Sequence, residues 1–151
     1  MAAQAWTLFN AAKKNIGLGV INLSGEASKH YITLMKQSIS VLYDTTVSVL
    51  SSLGAFTVAG SLDSLGELAG VTWSGAASVN DPVKKWDAND LTFTASGATL
   101  SAVRYAVIWQ STSAGGGPLI AYSSLSALQF DVTTGNTLTI QMNASGIFTL
   151  T

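Results

Sequence analysis

At 151 residues and 15.6 kDa the chain has room for one domain with one well-filled core. Charged residues make up 10% of it, against about 25% in a typical soluble domain, and a net charge of −1 excludes a dominant electrostatic attraction to nucleic acid. With no Cys there is no disulfide framework, thiolate nucleophile or cysteine zinc site, and the single histidine, His30, excludes a multi-histidine metal centre within one chain.

In chain order, residues 4–16 read as a short helix, because Trp6, Phe9 and Ile16 recur at helical spacing with Lys13 and Lys14 near the C-terminal end. Gly17 and Gly19 stop it. Read as a phosphate loop, this glycine pair lacks both a preceding strand and a third glycine, since Asn22 stands there. His30 to Lys36 alternates as a strand, with His30, Ile32 and Leu34 on one face and Tyr31, Thr33 and Met35 on the other. Residues 37–70 lack firm periodicity and read as a long loop or arm, with helical turns suggested over 46–53 and 62–68.

From Val71 onward the pattern is β. Leu91 and Phe93 alternate with Thr92 and Thr94, and Val103, Tyr105, Val107 and Trp109 alternate with Arg104, Ala106 and Ile108. Residues 119–122 follow a Gly115-Gly116-Gly117-Pro118 break. Leu128, Phe130 and Val132 share one face of the next strand, and Leu138, Ile140 and Met142 one face of another. After the Asn143-Ala144-Ser145-Gly146 turn comes a last strand over 147–150. Short strands at near-regular spacing predict a mainly β chain, an antiparallel β-sandwich or jelly-roll-like domain with a short N-terminal helix and a long middle arm. The expected organisation is a single domain over 1–151: helix and first strand in 1–36, the arm in 37–70 and the sandwich core in 71–151. Val103, Tyr105, Val107, Leu138, Ile140 and Phe148 are its predicted core.

Little chemistry is visible. Ser-His-acid catalysis needs a histidine between a hydroxyl and a carboxylate, whereas His30 lies in an apolar strand with no strained nucleophile turn nearby. Asp81, Asp87 and Asp90 with Asn80 and Asn89 are the densest oxygen cluster, but Lys84 and Lys85 interrupt it and the residue types suit a turn. No enzyme activity and no cofactor are expected. Trp6, Trp73, Trp86 and Trp109 could stack on sugars or bases, yet single-strand binders add a positive groove, and packing in a core or interface is the expected role. The most apolar long stretch is interrupted by Asp44, Asp63 and Glu67, so no spanning helix of about 20 apolar residues is expected. A secretory signal is not expected at the N-terminus either, since Lys13 and Lys14 follow the first apolar residues and no continuous apolar run comes after them.

Charge is unevenly placed. Through residue 36, Lys13, Lys14, Lys29 and Lys36 stand against Glu26 alone, whereas beyond Arg104 the only charged side chain is Asp131. Depletion of charge marks interface cores, so the C-terminal third is expected to be covered by neighbouring subunits, with Lys13, Lys14, Lys29, Lys36, Trp6 and Trp86 as candidate contact residues.

Two stretches carry a resemblance. The first runs Trp86-Asp87-Ala88-Asn89-Asp90-Leu91-Thr92-Phe93 through Thr94-Ala95-Ser96-Gly97 into Val103-Arg104-Tyr105-Ala106-Val107-Ile108-Trp109. The second is Pro118-Leu119-Ile120-Ala121-Tyr122 with the ending Thr139-Ile140-Gln141-Met142-Asn143-Ala144-Ser145-Gly146-Ile147-Phe148. They resemble a family of small virion proteins of tailed bacteriophages, similar to capsid decoration (cement) proteins. A Gly-Tyr-Thr-Gly-Gly segment of that family's pattern has no counterpart near residues 55–70. The resemblance implies a protein made in the host bacterial cytoplasm that sits on the capsid exterior of the virion. Its partners would be the major capsid protein and further copies of itself, as homodimer or homotrimer, and not nucleic acid or membrane. A tail-tube or head–tail connector subunit and a carbohydrate-binding adhesion module are the alternatives.

Overall fold

The computed structural model describes residues 5–24, 29–36, 65–74, 84–111 and 117–150. Among them are eleven strands and one helix: β1 (Thr7–Leu8), α1 (Asn10–Gly17), β2 (His30–Lys36), β3 (Leu65–Glu67), β4 (Thr72–Ser74), β5 (Lys84–Asp87), β6 (Leu91–Thr94), β7 (Leu100–Gln110), β8 (Leu119–Ser124), β9 (Phe130–Val132), β10 (Thr137–Ile140) and β11 (Phe148–Leu150). Every strand pair is antiparallel, and the chain is mainly β as its alternation predicts.

The main sheet runs β1-β8-β7-β2-β3. Its axis is β7, the longest strand, flanked by β2 from His30↔Gln110 to Lys36↔Val103 and by β8 from Tyr105↔Ser124 to Trp109↔Leu119. Where β8 ends, β9 takes over along the start of β7, pairing Val103↔Phe130 and Leu100↔Val132. Between these two pairs β7 bulges, and Ala102 sits at φ 60° with its amide donating to the Asp131 carboxylate at 2.7 Å. From Tyr105 to Gln110 every residue of β7 is buried, because Ala106 and Ile108 make its second face apolar too. The same holds on β2, where Thr33 and Met35 are buried opposite Ile32 and Leu34. Trp109 stacks on Tyr31 across the strand pair and donates its indole N–H to the Thr33 hydroxyl at 2.9 Å.

Two smaller sheets complete the fold, β10-β6 and β11-β5-β4. The predicted core residues Val103, Tyr105, Val107, Leu138, Ile140 and Phe148 are all buried and belong to one hydrophobic cluster.

Four local expectations are corrected. The helix starts at Asn10 and not near residue 4, because Thr7 and Leu8 are drawn out as a strand on Tyr122 and Ala121 and the Phe9 amide donates to the Ile120 carbonyl at 3.1 Å. Within the supposed arm, 65–67 is strand β3 on β2 and not a helical turn; the turn suggested over 46–53 lies outside the described residues. Leu128 is 77% exposed and precedes β9. Hydroxyl bonds hold that stretch as a turn: Ser124 Oγ donates to the Ser126 carbonyl and Ser126 Oγ accepts the Leu128 amide. The last strand opens at Phe148, although the Ile147 amide already bonds the Trp86 carbonyl at 2.8 Å.

Candidate interaction surface

His30, Asp87 and Asp90 are held in structural contacts. His30 is buried, its Nε2 donates to the Asn22 carbonyl at 3.0 Å, and its ring meets Trp86 edge-on at 5.3 Å. Burial pushes its pKa below the usual histidine range, against a smaller opposing effect of the Asn22 bond. Neither contact is a carboxylate. Asp87 pairs with Lys85 at 3.0 Å and accepts the Ala88 amide, while Asp90 accepts the Met142 amide at 2.8 Å. These are turn and cross-strand roles, as the residue types suggest; Asp81 and Asn80 lie outside the described residues. Among the described residues no three His, Asp or Glu side chains converge as a metal site would require, and no helix is long and apolar enough to cross a membrane.

The two stretches that carry the resemblance meet residue by residue. β10 pairs with β6 from Thr137↔Thr94 to Ile140↔Leu91, and β11 with β5 from Phe148↔Trp86 to Leu150↔Lys84. Lys85 Nζ donates to the Ala144 carbonyl at 3.0 Å, closing the 143–146 turn over β5. Gly146, at φ 81°, is required there: a Cβ would strike the Lys85 side chain and lie 2.8 Å from the Trp86 carbonyl.

The candidate contact residues do not form one face. Lys13 and Lys14 are exposed on α1. Lys29 is exposed but bonded to Glu67 at 3.2 Å, and that bond with the Glu67 charge raises its pKa. Lys36 is half-buried at the opposite end of β2, roughly 23 Å from Lys29 along the strand. Trp86 is 0% exposed and donates its indole N–H to the Leu23 carbonyl at 3.0 Å, so it is a core residue with no face to offer a partner. Trp6 is buried as well, and its Nε1 has no hydrogen-bond partner among the described residues. Trp109 is buried, leaving Trp73 alone at the surface, 40% exposed and edge-on to Phe148. No exposed stacking platform is assembled from Trp73, Trp86 and Trp109.

Two surface features escaped the sequence reading. The first follows α1. Gly19, at φ 70°, sends its amide to the Ile16 carbonyl, and the Val20 amide reaches Asn15 O at 2.9 Å. This pair of bonds is a Schellman cap, in which the residue after the glycine normally packs on the last helical turn. Here the positions that would receive Val20 are Asn15 and Lys14, both polar, so Val20 stays 57% exposed beside Leu18 at 65%. The second is a groove of about 490 Å³ between β9 and β10. A four-residue turn joins these strands, yet each pairs elsewhere, β9 with β7 and β10 with β6, and they splay apart. Phe130, Val132 and Leu138 lie along it among Asn136 and three threonines, and Asp131 is its one charge.

No family model, curated protein or solved structure matches the chain.

Proposed function

We propose that the chain is a structural binding protein of a tailed-bacteriophage virion, attached to the capsid exterior and bridging subunits of the major capsid protein. The observation that carries this reading is the pairing of the two resembling stretches. Trp86 pairs with Phe148, Gly146 makes room for the Trp86 carbonyl and Asp90 accepts the Met142 amide, so the residues that carry the resemblance hold one another in place, which supports a scaffold role. Charge depletion supports it: beyond Arg104 only Asp131 is charged, as suits a surface made to be covered. Under this reading the three antiparallel sheets close on the shared core as a β-sandwich of jelly-roll type.

A shell under internal genome pressure gains strength from added area across its subunit seams, and a stable contact of this kind buries at least about 1,200 Å² in total. Purified protein is added to heads assembled without it. It should co-sediment with empty and filled heads, saturate in proportion to the major capsid protein and raise the temperature at which the shell ruptures. Absence of binding to heads, or binding of the isolated chain to a glycan through Trp73, would overturn the reading.

A further inference from the structure

We infer that copies of this chain associate head to tail, the exposed Leu18–Val20 knuckle of one copy seated in the β9–β10 groove of the next. The two surfaces are complementary. The knuckle presents two aliphatic side chains with Lys13 and Lys14 exposed on the helix behind it, and Lys14 stands one turn before Leu18. The groove is mainly polar, lined by Asn136 and three threonines with Phe130, Val132 and Leu138 among them, and it carries an exposed acid, Asp131, with no cation along it, so the match is chiefly of charge. At about 490 Å³ it falls within the roughly 300–1,000 Å³ of ordinary binding clefts, ample for a leucine and a valine.

Placement rules out contact within one molecule. The segment bearing the knuckle is anchored on both sides at the Gln110 end of β7: the Phe9 amide bonds Ile120, and Gln110 Oε1 accepts the Asn22 amide at 2.9 Å. The groove opens beside Val103 and Leu100, where β9 pairs, roughly 23–33 Å away along β7. Different patches meeting head to tail build rings or chains, or close reciprocally as a two-fold pair in which each copy seats the other's knuckle.

The inference does not depend on the capsid reading, because it is tested on the isolated protein by sedimentation across a concentration series. Wild type should show mass rising with concentration above 15.6 kDa. Leu18→Ser/Val20→Ser changes only exposed side chains, and Thr137→Arg fills the groove from an exposed position. Each variant should remain folded by circular dichroism and stay monomeric. Mixed one to one they should form a dimer and nothing larger, since each retains the half that the other lacks. Asp131→Asn keeps an acceptor for the Ala102 amide and should weaken wild-type association in a way that raised salt mimics. A wild type that stays monomeric, a knuckle variant that associates as wild type does, or a mixture that stays monomeric would each overturn it.

Discussion

Two glycines hold left-handed backbone for different reasons, and their replacement separates backbone strain from steric collision. At Gly19 an added Cβ meets nothing within 4 Å, so Gly19→Ala costs only the conformational penalty at φ 70°, about 1 kcal/mol. At Gly146 the same penalty is joined by contact with the Lys85 side chain and the Trp86 carbonyl. Gly146→Ala should therefore lose more, about 3 kcal/mol or above, in urea unfolding. Equal losses would show that the 143–146 turn yields. His30 supplies a pH dependence. Its folded pKa lies below that of the unfolded chain, so the unfolded state binds the extra proton. The stability contributed by neutral His30 is fully present above the unfolded value and drains away as pH falls below it toward the folded one. His30→Gln cannot take up the proton, so stability measured from about pH 7 to 5 should fall less steeply in the variant than in wild type. Identical slopes would mean that the ring takes its proton freely in the fold.

Among the elements, β7 organises the rest. Its residues from Tyr105 onward are covered on both faces, and β2, β8 and β9 all hang on it. Tyr105→Ala opens a cavity where the ring is 5% exposed and should cost about 3–5 kcal/mol, read as a lowered urea midpoint; an unchanged midpoint would show the ring to be dispensable to the core. Val103, Tyr105, Val107, Leu138, Ile140 and Phe148 were legible as core because apolar alternation marks an inward face, whereas the burial of Ala106 and Ile108 on the second face of β7 was not, since it depends on what packs there. What the helix pattern at Trp6 and Phe9 could not convey was that Thr7 and Leu8 find a partner strand more than a hundred residues on, and long-range pairing outweighs local periodicity. Leu128 shows the opposite failure, an apolar side chain in phase with its strand but lifted out by two serine hydroxyls. At the candidate surface, lysines close in sequence were grouped by charge alone, and β2 carries Lys29 and Lys36 to opposite ends. Trp86 looked available because composition cannot tell a buried indole whose N–H finds the Leu23 carbonyl from an exposed one. The knuckle at Leu18 and Val20 had a readable sign, a polar Lys14-Asn15 pair where a Schellman cap expects apolar cover; the splayed groove had none, since it depends on which strands β9 and β10 pair with.

For the molecule as a whole, charge is sparse, apolar side chains stand exposed after α1 and an acid-marked groove lies between β9 and β10. Among its described residues no three His, Asp or Glu side chains converge as a metal site would require, and the segments that carry the resemblance hold each other in place. Its role should then be visible in stoichiometry. The most direct measurement is the number of copies per particle, counted by quantitative mass spectrometry on purified virions against the major capsid protein. A decoration protein predicts a fixed ratio to that protein, amounting to many tens of copies or more, kept in empty heads. A count of about a dozen per particle would place the chain in a connector or tail ring, and its absence from virions would contradict the account altogether.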